Sequence, residues 1–153
     1  MGIYIDLQKA FDTVNHFILI QKLEKYGVRG LVLDWFKSYL INRKQYTVIS
    51  DYQSKLQTVT CGVPQGSVLG PLLFLIYVNN IQSAVSSATV KLFADDTNLF
   101  FHCKHPEELY TIANTSLVQL SEWITVNYYT NIFTMFNHFN FSTIKIQFIV
   151  RCT

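Results

Sequence analysis

Three aspartates stand among apolar residues at predicted strands and tight turns. Asp6 ends a short apolar segment, and Asp95 and Asp96 are adjacent in the run FADDTN. Burying such carboxylates is costly unless a cation compensates their charge. Carboxylate oxygens are hard ligands of the kind that suits Mg²⁺. These residue types therefore point to metal-dependent phosphoryl transfer, in which two ions about 4 Å apart stabilise the attacking and the leaving oxygen.

The same carboxylates have an ordinary structural alternative. A lone carboxylate at the end of a strand is commonly a helix N-cap or a solvated turn residue. Taken alone, Asp95 and Asp96 fit the turn of a β-hairpin, and Asp6 fits a strand end. The sequence around them is needed to choose between the two interpretations.

Three motifs around these residues resemble those of reverse transcriptases of the non-LTR retrotransposon kind. The run IDLQKAFDTVNH at residues 5–16 is similar to the family's first palm motif, GVPQGSVLGP at 62–71 to its second catalytic motif, and FADDTN at 93–98 to its third. They occur in the family's order and at a compatible spacing. The resemblance covers about residues 2–127, including WFKSYL at 35–40 and LSEW at 120–123.

The resemblance implies an RNA-directed DNA polymerase with two Mg²⁺ ions, for which Mn²⁺ is an alternative. The implied catalytic and metal-binding residues are Asp6, Asp95 and Asp96, the last in a less direct role. The backbone carbonyl of Leu7 is a further implied metal ligand. The implied reaction is attack of a primer 3′-hydroxyl on the α-phosphate, which depends mostly on positioning and electrostatics.

The resemblance also implies the partners and the nucleotide contacts. The partners are an RNA template, a DNA primer and deoxynucleoside triphosphates. Lys9 and Ala10 would offer backbone amides to the triphosphate, and Phe11 would lie beneath the sugar, where its ring leaves no room for a 2′-hydroxyl. Gln65 and Gly66 would contact the incoming nucleotide and the template pair.

Several of these residues have plain structural interpretations as well. Phe11 fits an ordinary core aromatic, residues 62–66 fit a strand-to-helix turn, and Lys9 fits a solvated helix start. Arg43 and Lys44 are expected to be a solvated approach to a hairpin, with a phosphate contact as the alternative. The four histidines show no metal-ligand spacing, and none is taken as a ligand.

The spacing of apolar residues and the positions of helix-capping and turn-forming residues predict the elements that must position these residues. Strands are predicted over 2–7, 45–50, 55–60, 91–94 and 98–102, with turns near Asp51 and at 95–97. Helices are predicted over 15–26, 30–41, 67–81 with Ser67 as its cap, and 106–124. The predicted fold is α+β, an incomplete polymerase palm whose small antiparallel sheet is covered by helices, with fingers and thumb missing.

The chain divides into two regions of different character. Residues 1–127 form the palm-like segment, which by comparison with the family is truncated at its N-terminus. Residues 128–153 form a divergent aromatic tail with no helical or strand period, in which Lys145 and Arg151 are the only charged residues. We expect the tail to lie outside the family fold and the isolated chain to be inactive.

Composition bounds the remaining classes of function. The formal net charge of +2 permits a nucleic-acid partner without requiring one. Three cysteines without C-x-x-C spacing argue against a zinc site or a disulfide framework and favour an intracellular location, in the cytoplasm or nucleus. The longest apolar run, residues 71–78, is too short to span a membrane, so no membrane partner is expected.

Two functions remain open on the sequence alone. The first is a reverse transcriptase fragment that carries out two-metal nucleotidyl transfer in a larger context. The alternative is a non-catalytic remnant of a retroelement, which acts as an interaction or nucleic-acid-binding module or has no function. The incompleteness of the segment relative to the family favours the second for the isolated chain. The intact residues Asp6, Gln65, Asp95 and Asp96 favour the first as the ancestral activity.

Overall fold

Helices and small antiparallel sheets make up the fold, as the sequence predicted. The computed structural model of the chain describes residues 1–7, 9–94, 96–103, 105–127 and 144–149. The strands are β1 (Gly2–Leu7), β2 (Lys44–Gln45), β3 (Val48–Ile49), β4 (Tyr52–Gln53), β5 (Gln57–Thr58), β6 (Thr89–Phe93), β7 (Asp96–Phe100) and β8 (Ile144–Ile149). The helices are α1 (His16–Lys25), α2 (Leu31–Leu40), α3 (Leu69–Val78), α4 (Ile81–Ala84) and α5 (Pro106–Asn127). The chain forms two compact units, residues 11–77 and residues 1–10 with 78–153.

A four-stranded antiparallel sheet organises the unit that contains both chain ends. Its strand order is β6-β7-β1-β8, so β1 is a central strand. On β1, Ile3 and Ile5 are buried while Tyr4 between them is 36% exposed, as the alternation of apolar residues predicted. Leu99 on β7 continues the buried layer, and α4 contacts both β6 and α5.

The strand β8 was not predicted. The tail shows no strand period, yet Ile144–Ile149 pairs antiparallel with β1 along its whole length, from Gly2 opposite Ile149 to Leu7 opposite Ile144. Pairing of this kind is decided by a distant strand that offers a free edge, which local periodicity does not report. The other tail residues, 128–143 and 150–153, lie outside the described residues.

The hairpin that carries the paired aspartates is shifted from its predicted bounds. β6 and β7 pair antiparallel, with Phe93 opposite Asp96 and Thr89 opposite Phe100. The predicted turn at 95–97 is wrong in its second half, because Asp96 and Thr97 belong to β7. Thr97 is buried in this strand, so cross-strand packing extends the ladder past the point where turn-forming residues suggest an end.

In the other unit, local signals place the first two helices correctly. The side chain of Asn15 caps α1 by accepting from the amides of Phe17 at 2.9 Å and Ile18 at 3.2 Å. The helix is followed by Gly27, whose φ is +92°, a left-handed conformation that suits glycine. The predicted helices 15–26 and 30–41 are thus confirmed to within one residue at each end.

The predicted hairpin around Asp51 is present but interrupted. β2 pairs with β5 and β3 pairs with β4. The predicted strand 45–50 is thus divided between β2 and β3, whereas the predicted strand 55–60 contains only β5, and β4 lies before it. Two residues, 46–47, stand opposite three, 54–56, between these pairs, which is the arrangement of a β-bulge. The side chains of all four short strands are exposed.

The predicted helix 67–81 is divided as well. It consists of α3 and the short α4, separated by a turn at Asn79 and Asn80. Asparagine competes for backbone hydrogen bonds and favours turns over helix interiors, which explains the break. The capping role of Ser67 is confirmed, because its hydroxyl accepts from the amide of Gly70 at 3.0 Å.

Tyr77, near the end of α3, contacts α1 at both of that helix's ends. Its hydroxyl accepts from the Asn15 amide at 3.3 Å. The Lys22 ammonium donates to the Tyr77 carbonyl at 2.5 Å and lies 4.6 Å from the centroid of its ring. Burial lowers the pKa of Lys22 to about 8 and raises that of Tyr77 to about 12. These contacts fix α1 against α3.

Candidate active site

The sheet places two of the predicted catalytic aspartates side by side. β1 and β7 pair antiparallel, with Asp6 directly opposite Asp96, which confirms the expectation that the Asp6 strand lies beside the Asp95–Asp96 hairpin. On the other side of β1, the register places Lys145 opposite Asp6. Asp95, the second expected metal ligand, lies outside the described residues. Within the described part of the chain, no three His, Cys, Asp or Glu side chains come together as a metal-binding group.

The turn that follows β1 already uses one of the predicted phosphate-binding amides. The Ala10 amide donates to the Leu7 carbonyl at 3.2 Å. That carbonyl has a second lone pair, so it keeps the capacity to accept a further partner. Lys9 has a φ of +53°, which is uncommon for a residue with a side chain and marks a constrained turn. Ala94, next to Asp95 in sequence, has a similar φ of +52°.

Phe11 begins the second unit and lies against the first turns of α3. Its ring stacks on that of Phe74, with centroids 4.4 Å apart and an angle of 27° between the planes. Phe74 is buried at 1% exposure, whereas Phe11 is only partly buried. The Phe11 ring is therefore held from one side by the core and retains some accessible surface.

The loop that contains Gln65 is bonded to the segment before α1 by a short antiparallel ladder. Asn15 forms a bridge with Cys61, and the Gly62 amide donates to the Val14 carbonyl at 2.8 Å. The Val63 amide donates to the Phe11 carbonyl, also at 2.8 Å. These segments belong to separate motifs of the sequence, and their direct pairing was not predicted.

Gly62 is the point of closest approach in this ladder. Its φ is +84°, and a Cβ built there would lie 2.7 Å from the Asp12 carbonyl oxygen and 2.9 Å from the Asp12 Cα. No ordinary side chain fits at that distance from a backbone. The glycine is thus required both by the conformation and by the space, which is more specific than the turn role expected from sequence.

His16 fastens the same loop from the first turn of α1. Its Nε2 lies 2.7 Å from the Gly62 carbonyl oxygen, in a buried setting. A carbonyl only accepts, so Nε2 carries the proton. Burial lowers the pKa of His16; the bond to Gly62 opposes this effect and the Arg43 guanidinium adds to it. This role was not predicted, because a histidine that bonds to a distant backbone carbonyl has no signature in the local sequence.

We expect the chain to lose stability as the pH falls through about 6.5, the ordinary histidine pKa. The unfolded chain then binds a proton at His16 that the folded chain resists, because burial lowers the pKa of this residue. Urea denaturation at about pH 7.5 and about pH 5.5 measures the effect. The His16→Gln variant should lose part of the pH dependence and the exposed-residue control His102→Gln should not. Identical pH dependence in the two variants would contradict the expectation.

Gln65 is held by a hydrogen bond to Asp12, a residue for which no role was predicted. Its Nε2 donates to Oδ1 of Asp12 at 2.7 Å, and both side chains are exposed. Gly66, next in sequence, has a φ of +78° with nothing within 4 Å of a built Cβ. The Ser67 hydroxyl donates to the Pro64 carbonyl at 2.7 Å and closes the loop on the helix side. Gln65 and Gly66 are therefore exposed to solvent in a turn whose neighbouring residues are held by hydrogen bonds.

Comparison with known families identifies the class to which these motifs belong. The family described as reverse transcriptase (RNA-dependent DNA polymerase) matches residues 1–131. The chain belongs to this family. The resemblance to reverse transcriptases of the non-LTR retrotransposon kind is likewise confirmed by its relatives.

Three relatives from Drosophila melanogaster show the extent of the similarity. The RNA-directed DNA polymerase from mobile element jockey is 32% identical over 104 residues, which are 63% of this chain and 11% of that protein. The probable RNA-directed DNA polymerase from transposon BS is 31% identical over 135 residues, 80% of this chain and 14% of that protein. The corresponding protein of transposon X-element is 33% identical over 110 residues, 68% of this chain and 12% of that protein. The chain thus spans little more than a tenth of these curated relatives.

The helices were also compared with the length and apolar character that a bilayer requires. Among the described residues, no helix is both long enough and apolar enough to cross a membrane, including the longest, α5.

Proposed function

We propose that this chain is the palm segment of a reverse transcriptase that copies RNA into DNA. The observation that carries the proposal is the register of β1 and β7, which sets Asp6 opposite Asp96 within two of the family's motifs. Directly opposed residues of an antiparallel pair have Cβ atoms about 4.5–5.5 Å apart, and like charges at such positions destabilise a sheet. A cation bound at this point would offset that repulsion, as would the charge of Lys145 opposite Asp6 on the other side of β1.

Asp6 and Asp95, with the carbonyl of Leu7, would hold Mg²⁺, and Asp96 would complete the acidic cluster. Carboxylate and carbonyl oxygens are the hard ligands that this ion and Mn²⁺ accept. When bound, two such ions supply charge stabilisation for the attacking and leaving oxygens of phosphoryl transfer. The contribution of the chain is to set the spacing of its acidic residues by strand register before the substrate arrives.

The nucleotide-binding residues would act through their backbone and their shape. The amides of Lys9 and Ala10 would bind the triphosphate, for which Ala10 must exchange its bond to the Leu7 carbonyl. Phe11, held by its stack on Phe74, would lie beneath the sugar and exclude a 2′-hydroxyl. Gln65 and Gly66, at their open turn, would contact the nucleotide and the template pair.

The partners of this segment would be an RNA template, a DNA primer and deoxynucleoside triphosphates. Contacts to the fingers and thumb of a longer element protein would complete their binding. Reverse transcription by this segment would take place in the cytoplasm or nucleus. Cys61 and Cys103 are free thiols, which a reducing compartment would preserve.

Primer extension by a complete polymerase that carries this segment tests the proposal. The assay contains a primed RNA template, the four deoxynucleoside triphosphates and Mg²⁺, with a chelator in a parallel reaction. Synthesis that follows the template and stops on chelation is the expected result. Absence of template-directed synthesis, or synthesis that survives removal of divalent ions, would refute it.

We expect Phe11→Val in that polymerase to raise ribonucleotide use relative to deoxyribonucleotide use by about tenfold to a hundredfold. Removing the ring opens space for the 2′-hydroxyl and leaves the acidic residues unchanged. The measurement is the ratio of kcat/KM for the two nucleotide types. Phe17→Val, on an exposed position of α1, makes the same change of side chain as a control. An unaltered ratio in Phe11→Val would assign Phe11 to core packing alone.

A further inference from the structure

The hydrogen bond between Gln65 and Asp12 determines which way the Gln65 amide faces. An ionised carboxylate has no proton to donate and only accepts hydrogen bonds. Since Asp12 Oδ1 lies 2.7 Å from the Gln65 amide group, that group must direct its NH₂ toward Asp12. The carbonyl oxygen Oε1 is then left on the opposite side of the same planar group.

Asp12 is well placed to impose this orientation because its own backbone is fixed. The backbone hydrogen bond between Val63 and Phe11 lies next to Asp12. Gly62 has no Cβ, which allows its backbone to contact the backbone of Asp12 directly. The base of the Gln65 loop is held in turn by Ser67. Both partners of the bond thus stand on segments bonded to each other, so the orientation costs little additional ordering.

We infer that Asp12 is a positioning residue that orients Gln65, so that Gln65 presents a hydrogen-bond acceptor to the incoming nucleotide. The inference rests on the proposed role of Gln65 in nucleotide binding. The nucleotide group that meets Gln65 is then a donor, a sugar hydroxyl or an exocyclic amino group. An amide free to rotate by half a turn would present donor or acceptor alternately and would select neither.

The first experiment tests the orientation itself on the full ¹⁵N-labelled chain. The side-chain NH₂ resonances of Gln65 should shift as the Asp12 carboxyl is titrated, and this shift should be absent in Asp12→Asn. Asparagine keeps the size of the side chain but has an NH₂ of its own, so it accepts either orientation of Gln65. Asp51→Asn, an exposed carboxylate in the hairpin, makes the same change of charge as a control. Gln65 resonances that do not respond to Asp12 would overturn the inference.

The second experiment measures binding of Mg²⁺·dTTP by equilibrium titration to a complete polymerase that carries this segment, with template and primer bound. Asp12→Ala should weaken binding about tenfold, the usual scale for one hydrogen bond to a charged partner. The same substitution in a Gln65→Ala background should have no further effect, because Asp12 acts through Gln65. A merely structural role would weaken binding equally with and without Gln65.

Two outcomes separate this inference from the proposed function. If Gln65→Ala weakens nucleotide binding and Asp12→Ala does not, the inference fails and the proposed role of Gln65 stands. If Gln65→Ala leaves binding of Mg²⁺·dTTP by the complete polymerase unchanged, the nucleotide role of Gln65 fails, and the binding half of the inference fails with it. The titration of Gln65 against Asp12 then still decides whether Asp12 fixes the amide.

Discussion

Replacing Gly62 with alanine should lower the free energy of unfolding by about 3 kcal/mol or more. Two effects add at this position. The φ of +84° is strained for any residue with a side chain, and the new Cβ would stand 2.7 Å from the carbonyl oxygen of Asp12. Relief requires the ladder between residues 11–15 and 61–63 to separate, which would break backbone hydrogen bonds on both sides. Urea denaturation of the chain measures the loss.

Gly66→Ala provides the matched control. Its φ of +78° carries a similar conformational strain, but nothing lies within 4 Å of the added Cβ. The expected loss is about 1–2 kcal/mol, the cost of the left-handed conformation alone. The difference between the two variants then reports the close approach of the backbones. Equal losses at the two glycines would show that the contact with Asp12 yields without cost.

Asp6→Asn should reduce primer extension by a complete polymerase carrying this segment about a thousandfold or more. Asparagine preserves the shape of the side chain but removes the charge on which cation binding depends. Metal ions contribute several kcal/mol of charge stabilisation, and each 1.36 kcal/mol is about tenfold in rate. The measurement is kcat under saturating template, primer and nucleotide. Because Asp96 has the less direct proposed role, Asp96→Asn should cost less than Asp6→Asn.

Asp51→Asn controls for the loss of a carboxylate as such. Asp51 is exposed in the turn of the hairpin, and its substitution should leave extension unchanged. The Asp6→Asn protein also excludes a contaminating polymerase, since any contaminant would survive the substitution. Full extension by Asp6→Asn would end the two-metal interpretation of this sheet.

Sequence alone predicted those elements whose signals are local. Ile3 and Ile5 alternate along β1, and Asn15 and Gly27 mark the ends of α1, so both elements were placed correctly. Asp6 and Asp96 were named from the motifs, and the sheet brings their positions together. β1 and α1 were placed correctly because each signal lies within a few residues of the element it describes, whereas the pairing of Asp6 with Asp96 was expected from the family's motifs.

The features that were missed depend on contacts between distant segments. β8 is recognisable only once β1 offers it an edge. The bonds from Asp12 to Gln65 and from His16 to Gly62 join the first motif to the second. These residues belong to separate motifs in the sequence, but the backbone pairing of residues 11–15 with 61–63 brings them together in the fold.

The central position of β1 also determines the order in which the sheet can be completed. Both hydrogen-bonding edges of this strand are occupied, one by β7 and the other by β8. β1 precedes both of its partner strands in sequence, because Gly2 pairs with Phe100 on one side and with Ile149 on the other. Contacts so distant in sequence form slowly, and an unpaired apolar strand attracts other chains in the meantime. The strand that carries Asp6 thus depends on two partners that follow it in sequence, and its second edge stays open until residues 144–149 are available.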